Sequence, residues 1–283
     1  MYGLKKDGTI WTWGEDLLNI REESKKCTYE PIQISITNKW KDMYAGQCHL
    51  IMLDKDGYIW FIGDQSNLKL FEGSDNIISA KRINNSEWSN ISAYDNGLLG
   101  IKKDGTLWAA GQYAISDYTN IEYNDIKRKF YQVGNDSDWK KVGLGGWSNA
   151  IAMKKDGSLY WLGKPYESNN RFSYKLEKIR KIAGGNDWLD FSISGSHVLA
   201  IKKDGTLWAW GRNDNGELGD GTTEYRETPI KISDEKYKDI LASDDSSFAI
   251  KEDGTLWGWG KNDNNQLGVE VIRGVYTPTR VNF

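Results

Sequence analysis

The stretch Lys5–Gly14, KKDGTIWTWG, decides how the chain is read. It recurs without gaps as DKDGYIWFIG from Asp54, KKDGTLWAAG from Lys102, KKDGSLYWLG from Lys154, KKDGTLWAWG from Lys202 and KEDGTLWGWG from Lys251. The turn aspartates Asp7, Asp56, Asp104, Asp156, Asp204 and Asp253 lie 48 to 52 residues apart. A period of that size, with strand signals and no helical pattern, predicts the blades of a β-propeller. The Asp-Gly pair suits a two-residue type I′ hairpin turn, which needs positive φ at both positions. A strand such as Val198–Lys203 is then expected before the turn and one such as Thr206–Gly211 after it.

Working outward from the turn, the position four residues on holds Trp11, Trp60, Trp108, Tyr160, Trp208 or Trp257, and the position six on holds Trp13, Ile62, Ala110, Leu162, Trp210 or Trp259. A separation of two places both on one face of a strand. Burying a tryptophan removes about 150–250 Å² from water, so the simplest role for these aromatics is core between blades. A sugar-binding platform is the alternative. Upstream, each later unit opens a further strand on an aromatic: Trp40, Trp88, Trp139, Trp188 or Tyr237. Downstream come a long polar loop and a short strand, as in PIQIS at Pro31 and PIKIS at Pro229. The unit thus has four strands, the count of a propeller blade.

Composition agrees with a repeat protein and narrows little else. The 283 residues exceed what one core comfortably fills, and the net charge of −3 gives no global drive toward nucleic acid or an anionic membrane. No apolar run approaches a membrane span. The N-terminal MYGLKKDGTI has no apolar signal segment, so a cytoplasmic location is expected, or a secreted or surface one if the chain is a fragment. Cys27 and Cys48 form no CxxC pair, which argues against a disulfide framework or a zinc site.

Two loops after the hairpins, GRNDNGELGDGTTEYRETP from Gly211 and GKNDNNQLGVEVIRGVYTP from Gly260, together with the DGTLWAWG core, resemble the regulator of chromosome condensation repeat, particularly in its bacterial versions. The first four units lack the N-x-x-G-x-L-G pattern in that loop. The resemblance implies a propeller, and its known members include a nucleotide exchange factor for a small GTPase and a bacterial inhibitor of β-lactamases. It does not name a partner.

The fold expected is therefore all-β, a six-bladed β-propeller of four-stranded antiparallel blades forming one domain over 1–283. Seven residues run from Met1 to Asp7 and thirty follow Asp253, together 37 against 48 to 52 elsewhere. One blade is accordingly expected to be incomplete and shared between the termini, taking its last strand from Thr277–Phe283.

No catalytic set stands out. His49 and His197 occupy the same repeat position, seven before the turn aspartate, and read as structural groups holding the neighbouring loop. GDGTT at Gly219 lacks the lysine and following helix of a phosphate loop. Lysines before the turns (Lys5, Lys6, Lys55, Lys102, Lys103, Lys154, Lys155, Lys202, Lys203, Lys251) read as solvated hairpin flanks, or as a basic ring for an acidic partner. Lys127, Arg128 and Lys129 read as a solvated loop. In an antiparallel meander the uniform turns emerge on one side. The variable loops, between first and second and between third and fourth strands, emerge on the other, where a rigid scaffold puts recognition. Trp147 fits none of the core positions. With Tyr94, Asp95, Tyr113, Tyr118, Tyr123, Tyr166, Arg171, Phe172, Asp244 and Asp245 it has the composition of an interface hot spot. The function expected is non-enzymatic binding of another protein by a monomer, without cofactor, metal, nucleic acid or membrane. The alternatives are an enzyme inhibitor, a guanine-nucleotide exchange factor, and a carbohydrate or cell-wall binding module.

Overall fold

All six Asp-Gly pairs close hairpins, but by a three-residue turn. The amide of each glycine donates to the carbonyl three residues back, as Gly8 N to Lys5 O at 2.9 Å, and Lys5 N donates to Thr9 O at 2.9 Å. Only the glycines have positive φ, between 83° and 95°, while the aspartates do not. This is a type I turn followed by a left-handed glycine bulge, and it corrects the expected two-residue turn. The aspartate has a different task, described below.

The computed structural model describes residues 2–15, 27–34, 39–46, 49–64, 76–94, 97–111, 129–145, 150–162, 179–269 and 274–281. It is a six-bladed β-propeller with no helix among the described residues. The first blade is β1 (Tyr2–Leu4), β2 (Ile10–Glu15) and β3 (Cys27–Gln33). The second is β4 (Trp40–Ala45), β5 (His49–Asp54), β6 (Ile59–Asp64) and β7 (Asn76–Arg82). The third is β8 (Trp88–Tyr94), β9 (Gly97–Lys102), β10 (Leu107–Gly111) and β11 (Tyr131–Gln132). The fourth is β12 (Trp139–Leu144), β13 (Ala150–Lys154), β14 (Leu159–Trp161) and β15 (Arg180–Lys181). The fifth is β16 (Trp188–Ile193), β17 (His197–Lys202), β18 (Leu207–Gly211) and β19 (Arg226–Ser233). The sixth is β20 (Tyr237–Ser243), β21 (Ser246–Lys251), β22 (Leu256–Gly260) and β23 (Val275–Arg280). Each blade pairs its strands in chain order.

The first blade has three strands, as the residue count suggested, but among the described residues it is not shared between the termini. Its last strand is β3, which carries the PIQ of PIQIS, and Thr12 pairs with Ile32. The C-terminal β23 belongs to the sixth blade, with Trp257 opposite Arg280. Among the described residues no opening strand pairs with β1, which lies at the edge of its sheet.

The chain divides into two compact units, 1–142 and 143–283. In the first, Ile51, Leu53 and Ile59 of the second blade bury against Trp88, Ile91 and Leu98 of the third. In the second, Leu199, Ile201 and Leu207 of the fifth blade bury against Tyr237, Ile240, Ala249 and Trp259 of the sixth. The opening aromatics Trp40, Trp88, Trp139 and Trp188 are at most 2% exposed. Each such burial stabilises by a few kcal/mol at ~25 cal/mol per Å². Where a described aromatic lies in these clusters, its role is core between blades.

Candidate interaction face

The turn end is built from one repeated relay. Asp7 Oδ1 accepts from Thr9 N at 2.9 Å and from Thr9 Oγ1 at 2.7 Å, and Thr9 Oγ1 in turn accepts from Trp11 Nε1 at 2.9 Å. The third, fifth and sixth blades repeat it through Asp104–Thr106–Trp108, Asp204–Thr206–Trp208 and Asp253–Thr255–Trp257. Hydrogen bonds from Thr9, Thr106, Thr206 and Thr255 hold these carboxyls below the usual aspartate range. In the first, third and sixth blades the lysine that opens the hairpin lies over the same indole, at 3.6 Å for Lys5 on Trp11, 3.6 Å for Lys102 on Trp108 and 3.4 Å for Lys251 on Trp257. Such a cation over a ring face is attracted by its quadrupole. These lysines are thus partly engaged by their own hairpins, and the relay repeats in four of the six blades.

The loop end differs from blade to blade. In the fifth and sixth blades the first-to-second and third-to-fourth strand loops meet, as the meander predicts. Asp245, after β20, accepts from Arg212 Nη1 at 3.2 Å and Lys261 Nζ at 3.3 Å, which follow β18 and β22. Arg212 Nε also donates to Asp214 Oδ2 at 2.6 Å. Asn213, fully buried, closes the loop after β18. Its Oδ1 accepts from Leu218 N at 2.9 Å, and its Nδ2 donates to Asp220 Oδ1 at 3.1 Å and Thr222 O at 3.0 Å. Asn262 does the same after β22, accepting from Leu267 N at 3.0 Å. Asp220 accepts from Thr222 N and from Arg226 Nε at 2.9 and 2.8 Å. The GDGTT stretch is therefore an Asx-type turn locked by an arginine.

Beneath this loop runs a buried chain of hydrogen bonds. Ser247 Oγ donates to Glu217 O at 2.7 Å, so it must accept from His197 Nε2, 2.8 Å away. His197 Nδ1 then accepts from Ser194 Oγ at 2.8 Å. The imidazole is neutral, and burial pulls its pKa down to about 4. His197 thus ties its own loop to the next blade, the structural part expected of it. Glu217 Oε2 accepts from Asn215 N at 2.8 Å, and burial raises its carboxyl above the usual glutamate range. Among the described residues no three His, Cys, Asp or Glu side chains are placed to hold a metal.

Of the residues singled out in the sequence, Tyr94, Asp244 and Asp245 are described. Asp95, Tyr113, Tyr118, Tyr123, Trp147, Tyr166, Arg171 and Phe172, with Lys127 and Arg128, lie outside the described residues. Tyr94 ends β8 and is exposed. Asp244 is exposed with φ of 35°, a left-handed value that aspartate tolerates better than most residues. Asp245 has both oxygens engaged. Sequence reasoning passed over Tyr225 and Tyr276, which are 39% and 45% exposed, and Arg212. Tyr276 sits on Gly216, where any β-carbon would collide with its ring, and Tyr276 O accepts from Gly221 N at 2.9 Å. The signal available was the glycine in NDNGELG, which leaves room for that ring.

The family described as the regulator of chromosome condensation (RCC1) repeat matches residues 204–250 and 253–283. A second family of the same description matches 189–217 and 237–266. The ultraviolet-B receptor UVR8 of Arabidopsis thaliana is 25% identical over 238 residues, 79% of this chain and 53% of the receptor. The human E3 ubiquitin-protein ligase HERC2 is 29% identical over 250 residues, 81% of this chain and 5% of the ligase. This chain thus spans about half the length of one relative and a small part of the other. The solved structure of Kap60 bound to yeast RCC1 (Prp20) superposes with a TM-score of 0.79 at 17% identity, covering 100% of this chain and 72% of that one. That of human WBSCR16 gives 0.78 at 19%, covering 99% and 79%. This chain is a six-bladed β-propeller whose residues 189–283 match the regulator of chromosome condensation repeat. These relatives are eukaryotic, whereas the sequence resemblance was to bacterial versions of the repeat.

Proposed function

We propose that the protein is a non-enzymatic, monomeric scaffold that binds another protein through its loop end. The observation that carries this reading is the pair of loops around Arg212, Asp245 and Lys261. Their backbones are fixed by Asn213 and Asn262, while Tyr225, Tyr276 and Asp214 face solvent. Tyrosine and arginine on a pre-organised support are the residues that dominate protein interfaces, because little entropy is lost on docking. Yeast RCC1 (Prp20) is seen bound to Kap60, and Prp20p of Saccharomyces cerevisiae has binding properties toward Gsp1p and histones, which suits a protein partner.

The test is affinity capture with the wild-type protein and with a Tyr225→Ala, Tyr276→Ala variant. The two side chains are 39% and 45% exposed, and a thermal melt of the variant checks that the fold is kept. A protein held by the wild type and lost by the variant supports the reading. Equal capture by both would move the binding surface away from this end. Regulation of a partner enzyme is the second reading, and accelerated release of labelled nucleotide from a captured GTPase would favour it.

A further inference from the structure

Two loops of the same pattern treat one position in opposite ways. In the loop after β18, NDNGELG, Glu217 is fully buried and its Oε2 accepts from Asn215 N at 2.8 Å. In the loop after β22, NDNNQLG, the matching residue is Gln266, whose Oε1 accepts from Asn264 N at 2.9 Å. Gln266 is neutral and exposed. The turn thus asks for one acceptor at this position, and an amide is enough to supply it. The carboxyl of Glu217 has a second oxygen, Oε1, which is buried and has no hydrogen-bond partner among the described residues.

The burial follows from how the loop sits on the sixth blade. Ser247 Oγ and Trp259 Nε1 both donate to Glu217 O, at 2.7 and 2.8 Å. A β-carbon on Gly219 would stand 2.7 Å from the same indole nitrogen, and Leu218 is buried in the core that the fifth and sixth blades share. Closing the loop onto this surface takes the Glu217 carboxyl out of water.

The surroundings do little for a charge there. Desolvation weighs against the ionised form, and one of its oxygens has no donor. Arg212, from the same loop, is the cation that acts on it, but its Nε and Nη1 donate to Asp214 and Asp245 at 2.6 and 3.2 Å. Asp245, before β21, adds a like charge and is itself paired with Lys261 after β22. From β17, His197 reaches Glu217 through Ser247 and is neutral, and β23 brings the ring of Tyr276 onto Gly216. Burial outweighs Arg212 and the amides of Asn215 and Glu217, so the carboxyl lies above the usual glutamate range.

We propose that Glu217 is a proton-operated latch on the loop after β18: protonated it lies inside the closed loop, and on ionisation it draws the loop off Ser247 and Trp259. The latch would regulate the surface proposed above to bind a partner and rests on that reading for its use. Its test needs no partner, so either can fail without the other. Its sign is opposite to that of His197. A carboxyl raised in the closed loop favours closure below the ordinary glutamate value, and this contribution is lost as pH rises through the raised one. His197 loses its contribution as pH falls. The two buried groups bound the closed state from either side.

Two NMR readouts on the full chain test this. The carboxyl carbon of Glu217 in the wild type should titrate with a midpoint above the ordinary glutamate value of about 4.3. Exchange of the Leu218 amide and the Trp259 indole N–H, corrected for intrinsic rates, should quicken as pH rises toward that midpoint. The gain is about tenfold for each unit by which the closed carboxyl exceeds the free one. Glu217→Gln, which copies Gln266 and keeps His197, should lack that rise and leave the Gly205 hairpin amide unchanged. The first readout is made on the wild type and holds whether or not the variant folds. A midpoint at or below about 4.3 would overturn the proposal, as would the same rise in the variant. So would faster exchange in the variant than in the wild type at every pH, which would make the carboxylate the loop's fastening.

Discussion

Asp54 shows how closely single residues are fitted to the repeat. The second blade has Tyr58 where the relay needs threonine, so the indole of Trp60 would lose its acceptor. Asp54 stands where most blades have the lysine that lies over the ring, and its Oδ2 accepts from Trp60 Nε1 at 2.8 Å while Oδ1 accepts from Tyr58 N at 2.8 Å. Asp54→Lys should cost about 1–3 kcal/mol, since it leaves a partly buried donor unsatisfied. Adding Tyr58→Thr should recover much of that loss, and a double-mutant cycle from urea unfolding measures the coupling. The pH response also belongs at this scale. His197 binds its proton only near pH 4 when folded but near 6.5 when unfolded. The unfolded state therefore gains protons first, and stability falls as pH drops from above 6.5 toward 4, by about 3 kcal/mol in all. The turn aspartates act lower down, because their depressed carboxyls lose their contribution as pH falls through the folded value. Unfolding at pH 7.5 and pH 5 should show the first loss in the wild type and little of it in His197→Asn, the residue found at this position in the fourth blade.

At the scale of the element, the hairpins were legible because Asp-Gly occurs in a fixed frame with alternating apolar neighbours. The turn type was not. Asp-Gly fits both a two-residue and a three-residue turn, and only Lys5 O bonding Gly8 N distinguishes them. The last strands were harder still, since β11 and β15 are two residues long and carry no pattern. The shared blade was misread although the signal was present. The Thr-Pro of Thr277–Pro278 matches that of Thr228–Pro229 in β19, so β23 belonged to its own blade from the start. The loops after β18 and β22 supply a test of the rigid support. Asn213→Ala should cost about 1–3 kcal/mol by orphaning buried groups. It should also speed amide hydrogen exchange at Leu218 and Thr222 while leaving the hairpin at Gly205 protected, a contrast that NMR exchange rates read directly.

For the whole molecule, the blade number followed from the spacing of six turns, because a repeat buries its face only against another repeat of the same kind. The site was far less legible. The proposed recognition uses loops that break the repeat, and a residue outside the pattern carries no register from which to infer its neighbours. Asp245 was singled out as a binding group, yet it also bridges Arg212 and Lys261. Tyr276 was hidden because it lies within a strand. The near-neutral charge, −3 over 283 residues, agrees with a partner read by shape and aromatic contact more than by long-range attraction. The most direct measurement of the central claim is hydroxyl-radical footprinting of the protein free and bound to its captured partner. Protection at Tyr225, Tyr276 and the loop around Arg212, with Trp11, Trp108 and Trp257 at the turn end unchanged, is the predicted result. Protection of the turn end with the tyrosines still reactive would contradict it.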